Sequence, residues 1–504
     1  MKLNAELLQS AFEFPGDLIV SKYRRLPEKA LQFGEGNFLR AFADAMLHEL
    51  NKQNLFNGQV VAVQPIPAGL AAKINEQDGL YTLILRGLEN GVPKERKEII
   101  SSISRALNPY TDWESYLQCA ENPDLELIIS NTTEAGIAFL ENDRPEDAPP
   151  ASFPGKLTSF LYHRFQYFAA DISKGMLILP CELIDRNGDT LKDAVLRTAD
   201  NWGLSAAFSH WVKTANTFAN TLVDRVVTGY PQEEADAITA HLGYADALLD
   251  TGELFHLWVI EAPPEAAIKL PFAQAGLNVI FTDDLSPYRT RKVRILNGAH
   301  TASVPAAFLA GLDSVGEMMG DEVLGKYVTK TIFEEIIPSI DLDKQMLTDF
   351  AYAVLERFQN PFIKHYLLSI LLNSNSKFKA RVLPSIIEYR ALHGRLPERL
   401  TFSFAALIAV YQKGTILKGE MKAYRDKGEF RLKDDLPVLE FFAKVWQGYD
   451  GSRANARAVA EAVLGNEAMW GENLNKIPDL TEKTASYLYA ITNGGIKKTI
   501  TALT

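Results

Sequence analysis

Ala30-Leu-Gln-Phe33-Gly34-Glu-Gly36-Asn-Phe-Leu-Arg40 runs a short apolar strand into a G-x-G turn and then into a helix. The helix is read from Phe38, Phe42 and Met46 at i+4 spacing, with Leu39 and Leu50 beside them. A dinucleotide-binding α/β fold begins in this way. The glycines let the backbone approach a pyrophosphate, and the helix N-terminus faces it. On that reading Gly34, Gly36, Asn37 and Phe38 are cofactor-binding. Leu39 stands where the usual fingerprint has its third glycine, and an ordinary strand–turn–helix uses two glycines as readily.

Working outward, a second strand over 59–63 ends at Gln64 and Pro65. Dinucleotide folds often place Asp or Glu there, on the ribose hydroxyls. An amide at Gln64 still bonds a hydroxyl, without charge assistance. NADH is therefore expected over NADPH by a smaller margin than an acid would give. Arg86 and Lys73 are the basic residues to watch for a 2′-phosphate. A third strand is expected at 80–85. A strand over 125–130 runs into Asn131-Thr-Thr-Glu-Ala-Gly136, a polar turn at a strand's carboxyl end, where open α/β sheets bind ligands. Asn131, Thr132 and Glu134 are thus cofactor candidates, an ordinary capped turn being the alternative. Helices over 155–170 and 190–202 and strands over 176–180 and 257–261 complete a Rossmann-like domain spanning 1–284.

Beyond Arg291 the strands fade and helical periodicities take over, at 342–359, 363–373, 402–412 and 436–447. Residues 285–504 are read as a mostly α-helical substrate and catalytic domain. At the junction stands Lys292-Val-Arg-Ile-Leu-Asn-Gly-Ala-His300, in the pattern K-x4-N-x2-H. On a straight α-helix Asn297 and His300 lie roughly 140° and 80° from Lys292, all within one side. A lysine able to give up a proton, with an amide and an imidazole donor, is equipment for polarising a carbonyl. Arg291 and Arg294 either depress the lysine's pKa or face solvent as surface charges. Singly, each motif residue has a bland reading: a surface lysine, a capping asparagine, a core histidine. The active site is expected in the cleft between the two domains.

The net charge of −11 excludes a nucleic-acid binder that works through a basic tract. Cys119 and Cys181 are too few for a disulfide framework and too far apart for a zinc ribbon, so a reducing cytoplasm is the simplest setting. The N-terminal residues hold no apolar core of signal-peptide length, and no run is long enough to span a membrane. The expected partner is a small molecule, with no nucleic acid and no membrane. Monomer and small homo-oligomer stay open.

These residues resemble the mannitol dehydrogenase family of long-chain polyol and uronate dehydrogenases, over nearly the whole chain. The resemblance is carried by 32–40, Gln77-Asp-Gly-Leu-Tyr-Thr82, 130–134, Pro180-Cys-Glu-Leu-Ile184 with Asn187-Gly188, Val223-Asp-Arg225, the K-x4-N-x2-H element and Asn373-Ser-Asn-Ser-Lys377-Phe. The first and fourth of these point to the branch that acts on uronates. The resemblance implies NAD as cofactor, no catalytic metal, and reversible reduction of D-tagaturonate to D-altronate in galacturonate breakdown. Action on a neutral polyol or on fructuronate is the alternative. It casts Lys292 as acid/base, Asn297 and Asn187 as oxyanion donors, His300 as a substrate contact and Lys377 as a ligand of substrate oxygens. A uronate carboxylate calls for a cation, and Arg381 and Arg225 follow Lys377 as candidates. Two departures stand out. Arg289 and Thr290 occupy the region where polyol members keep an acid, and Ser369 stands where they carry a basic residue. A nucleotide sensor without catalysis need not retain the Lys-Asn-His set, which is intact here.

Overall fold

The computed structural model describes residues 1–133 and 135–504. The chain forms two compact units. The first comprises 1–87 and 94–286, and the second 88–93 and 287–504.

Six strands of the first unit form one parallel sheet: β1 (Glu28–Phe33), β2 (Gln59–Val63), β3 (Ile103–Leu107), β4 (Leu127–Ser130), β5 (Leu177–Pro180) and β6 (Thr217–Phe218). Their spatial order is β3-β2-β1-β4-β5-β6, the order of a dinucleotide-binding doubly wound sheet. All residues of β2, β4 and β5 are buried, as a sheet covered on both faces demands. Side chains alternate between two cores. Leu31, Phe33, Val61, Val63, Ile128 and Ile178 face Tyr116, Phe153 and Phe160. Ala30, Val60, Ala62, Ile129 and Leu179 face Phe42, Met46 and Leu50 of the helix that follows β1.

The expected third strand at 80–85 exists as Tyr81–Glu89, but it lies outside this sheet. It lies in a four-stranded sheet between Val92–Ile100 and Asp250–Glu253, with Leu18–Ile19 on the outer edge of Val92–Ile100. The third strand of the nucleotide sheet is Ile103–Leu107, whose pattern of three buried and two half-buried residues is a weak signal in sequence. Leu257–Glu261 belongs to a separate sheet with Asn220–Asp224 and Val279–Thr282.

The second unit is built on Glu398–Val410, buried at every position from Leu400 onward. A helix apolar all round is an interior helix. Two expectations fail here. The helix expected at 363–373 is reduced to Leu367–Ile370, because Asn373 is left-handed at φ 52 and its N–H donates to the Lys433 carbonyl. Strands also return, as an antiparallel sheet of Thr415–Leu417, Glu420–Arg425 and Gly428–Leu432. Among the described residues no helix is long and apolar enough to cross a membrane. Cys119 and Cys181 are buried thiols.

The helix after β1 is continuous over 37–52, with a π-helical turn at Arg40–Asp44. That turn carries a buried charge cluster. Arg40 donates to the Leu248 carbonyl and to Asn37 Oδ1 at 2.6 Å, and lies 3.7 Å from Asp250. Gln32 donates to Asp44 at 3.1 Å. Burial, only partly offset by the Arg40 charge and hydrogen bonds, raises Asp44 and Asp250 from 3.8 to about 7. Carboxyls with raised pKa hold protons that the unfolded chain has already released. Their stabilisation is full below about pH 4 and is lost as pH rises to about 7. Asp44→Asn is neutral at every pH. The difference in Tm between wild type and Asp44→Asn should therefore move against the wild type from pH 4 to 7 and level off above, as measured by calorimetry.

Candidate active site

The sheet reverses its strand order between β1 and β4, and the turn after β1 stands there. Gly34 adopts φ 113, and its N–H donates to the Val63 carbonyl at 3.0 Å. A Cβ at Gly34 would lie 2.8 Å from the Asn131 carbonyl oxygen, so both conformation and space require glycine. Gly36 is different: its backbone is extended, and a Cβ there would meet open space. Gly36 caps the helix over 37–52 without any side-chain hydrogen bond. An uncapped helix start with open space before it, at the switch point of a doubly wound sheet, fits the pyrophosphate of a dinucleotide.

The neighbours fix this turn in place. Asn37 accepts from Arg40, and its amide presses on Gly229, where a Cβ would come within 2.4 Å. Phe38 stacks on Phe42 with centroids 5.0 Å apart. Asn131 donates to the Cys181 carbonyl at 2.8 Å. Thr132 donates twice to Glu182 Oε1, and Ser130 donates to Oε2 at 3.0 Å. Glu134 lies outside the described residues.

Four expected site residues, Gln64, Arg86, Asn187 and Arg225, are engaged within the first unit. Gln64 donates to the Ile66 and Pro67 carbonyls, both at 2.9 Å, and accepts from the Ala71 N–H. It shapes the 64–71 loop and keeps no free amide hydrogen for a ribose. Glu35, passed over in the sequence, joins that loop by accepting from the Leu70 N–H at 3.0 Å. Burial raises the Glu35 carboxyl. Gly69 allows the approach, since a Cβ there would overlap Glu35 and Gln64. Arg86 pairs with Glu95 and Glu234.

Asn187 is 1% exposed and ties together three segments. Its amide donates toward the Pro180, Glu182 and Thr221 carbonyls at 2.8–3.2 Å, and its oxygen accepts from the Thr221 and Gly188 N–H groups. This geometry gives an oxyanion no donor. Arg225 donates to the Ala41, Leu254 and Phe255 carbonyls and lies 3.1 Å from His256 Nδ1. It knits the first unit together rather than reaching for a carboxylate.

In the second unit the motif departs from an α-helix. Lys292–Asn297 is a π-helical turn, and Gly298–Leu309 continues as α-helix. Bonding from i to i+5 places residues five apart over one another, as i to i+4 does in an α-helix. Lys292 and Asn297 therefore share a face, where the α-helical expectation set them roughly 140° apart. His300 follows Asn297 at i+3, a neighbouring position on an α-helix. Lys292, Asn297 and His300 are all half-buried. The Asn297 amide makes no hydrogen bond among the described residues, and His300 Nε2 is shielded from solvent without a hydrogen-bond partner.

Neither flanking arginine is a surface charge. Arg294 bonds Ser385 at 2.6 Å, Ser339 at 3.0 Å and Glu388 at 2.9 Å. Arg291 lies over the Phe350 ring at 4.4 Å. A Cβ at Gly298 would be 3.0 Å from the Arg381 carbonyl, so the motif helix packs tightly on Ser374–Arg381. Lys377, on that helix, donates to the Ile370 carbonyl at 3.0 Å. Its pKa is lowered by burial and then by the Arg381 charge. The sequence reading passed over Phe358 and His365, whose rings contact His300. No short motif marks them; they reach His300 only through the fold.

The family description "Mannitol dehydrogenase Rossmann domain" matches residues 28–272, and "Mannitol dehydrogenase C-terminal domain" matches residues 284–492. Altronate oxidoreductase of Yersinia enterocolitica is 45% identical, with 97% of this chain and 98% of that protein covered. Altronate oxidoreductase of Bacillus subtilis is 46% identical, with 96% of each covered. The fold is similar to mannitol 2-dehydrogenase of Pseudomonas fluorescens, solved with NAD and D-mannitol (TM-score 0.72, 22% identity, 100% of this chain and 99% of that one). It is also similar to a D-sorbitol dehydrogenase (TM-score 0.80, 19% identity, 99% and 100%).

Two substitutions separate site from scaffold. Gly36→Val should keep its Tm and weaken pyridine-dinucleotide binding at least tenfold in a calorimetric titration, because its side chain enters the open space before the helix. Asn187→Ala should act on stability, orphaning two buried N–H groups at about 1–3 kcal/mol each, as read from urea denaturation.

Proposed function

The chain belongs to the mannitol dehydrogenase family of oxidoreductases, and on that premise we propose that it interconverts D-tagaturonate and D-altronate with NAD. The observation that carries the chemistry is the π-turn that brings Lys292 and Asn297 onto one face, with His300 next to them. The substrate assignment is supported by the altronate oxidoreductases that are 45–46% identical over nearly full length. When bound, NAD supplies or accepts the hydride.

The chain's residues do the rest. In the reduction, negative charge develops on the carbonyl oxygen. The Asn297 amide hydrogens are available to stabilise that charge. The Lys292 ammonium delivers a proton to the same oxygen, and in the oxidation the neutral amine takes it back. His300, held neutral by burial first and then by the neighbouring cationic groups, offers one N–H and one lone pair to a substrate hydroxyl. Lys377 and Arg381 bring positive charge to the same region and suit a uronate carboxylate. In the first unit, the Gly36 turn binds the pyrophosphate, and the 64–71 loop lies at the strand end where a ribose is held. With Gln64 engaged and Arg86 paired to acids, NADH is preferred over NADPH.

The test is loss of nicotinamide absorbance when the protein meets NADH and a panel of tagaturonate, fructuronate and fructose. Tagaturonate should be turned over with the highest kcat/KM; a higher value for either competitor overturns the assignment. Lys292→Ala should fold, bind NADH and lose roughly 10²–10⁴ in kcat, the usual span of general acid–base help. Asn297→Ala should cost about 2.7–4 kcal/mol of transition-state stabilisation, and the double variant less than the sum, because both groups act on one oxygen.

A further inference from the structure

Three rings from three segments meet at the end of the motif. His300 lies face to face with Phe358, centroids 4.0 Å apart and planes 17° apart. His365 stands perpendicular to His300, at 5.2 Å and 83°. Phe358 closes the helix Lys344–Phe358. His365 sits on the connection that follows, where its backbone N–H donates to the Ile363 carbonyl at 3.0 Å and its carbonyl accepts from the Val315 N–H at 2.9 Å. Both neighbours of His300 are therefore set in place by the backbone of their own segments.

We infer that His365 and Phe358 are positioning residues for His300, clamping its imidazole by edge and face so that the ring nitrogens meet substrate in one orientation. This rests on the reading of Lys292, Asn297 and His300 as the chemical site. An imidazole rotating about its Cβ–Cγ bond exchanges nitrogen for carbon at each position, and a substrate hydroxyl then loses its partner. Stacking on one face and a perpendicular ring at the edge remove that freedom. Aromatic pairs at these separations favour offset-stacked and edge-to-face arrangements, the two seen here.

The surroundings agree with a ring that works uncharged. Burial first, and then the charges of His365, Arg357 and Arg381, hold His300 well below its ordinary pKa. Burial and then Lys377 lower His365. These groups come from the helix Lys344–Phe358, the connection after it and the helix Ser374–Arg381; Asp434 acts on Lys377 with the opposite sign. A neutral ring has two tautomers, and only a fixed setting selects one. Nε2 is shielded from solvent and makes no hydrogen bond among the described residues.

The experiment uses the full-length protein in two arms. In the first, His365→Ala, His365→Phe and Phe358→Leu are assayed with NADH and tagaturonate. Misplacing a contacting group by about 1 Å costs up to 10²-fold. His365→Ala should therefore lower kcat/KM by roughly 10–100-fold through both kcat and KM, and His365→Phe, which keeps a perpendicular ring, should recover most of it. In the second arm, ¹⁵N-histidine NMR follows the imidazole of His300, assigned by its loss in His300→Gln. Wild type should give one neutral tautomer, and His365→Ala and Phe358→Leu an averaged one. Unchanged His300 signals in both variants, or His365→Ala kinetics within twofold of wild type, overturn the clamp. If wild type fails to reduce tagaturonate, the substrate assignment falls while the NMR arm still decides the clamp.

Discussion

The second unit depends on the hydrogen-bond register of one helical turn. Between Lys292 and Asn297 the backbone bonds i to i+5, and the extra residue in the turn lays the lysine over the asparagine. An α-helical register would set the two roughly 140° apart. A lone π-turn is a poor way to bond a backbone, so something else must hold it. Arg294, within the turn, is bonded to Ser339, Ser385 and Glu388 on the far side from the lysine face. Downstream, nearly every residue of Gly298–Leu309 is buried, and Gly298 lets the Arg381 backbone close on it. Packing on both flanks leaves the turn no room to rewind.

A π-turn alone does not make a site. Three occur among the described residues, at Arg40–Asp44, Lys292–Asn297 and Ile332–Ile336. The third holds Glu335, which accepts from Arg399 and the Leu400 N–H and braces two helices. The first sets Arg40 beneath the G-x-G turn, where it grips Asn37 and approaches Asp250. What distinguishes the second is that its half-buried face pairs a lysine with Asn297, whose amide makes no hydrogen bond among the described residues.

Four strands of the nucleotide sheet were legible because β2, β4 and β5, and the last four residues of β1, are buried and therefore read as short apolar runs. β3 was not, since two of its five residues are only half-buried and Tyr81–Glu89 is the stronger strand signal nearby. The Lys-Asn-His set was legible as spacing, but its geometry was not: no sequence rule announces where a helix takes an extra residue. Phe358 and His365 were invisible for another reason. Their meaning lies wholly in whom they touch, and the chain returns to His300 after more than fifty residues.

Hydrogen-bond accounting separates the remaining candidates. Asn187, Gln64 and Arg225 are the residue types a site would use, at positions near strand ends where sites form. Each is instead engaged with backbone groups: Asn187 with five, Gln64 with three, Arg225 with three. Buried polar groups are nearly always satisfied, and loops at a sheet's carboxyl edge expose many carbonyls that need a donor. A polar side chain there is more economically a clamp than a catalyst. Among the described residues the Asn297 amide makes no hydrogen bond and His300 Nε2 is shielded without a partner, in a region where burial first, and then Arg357, Lys377 and Arg381, lower the pKa of neighbouring groups. In a chain of net charge −11, such a concentration of cations beside unused donors is the local condition that binding an anionic, oxygen-rich substrate requires.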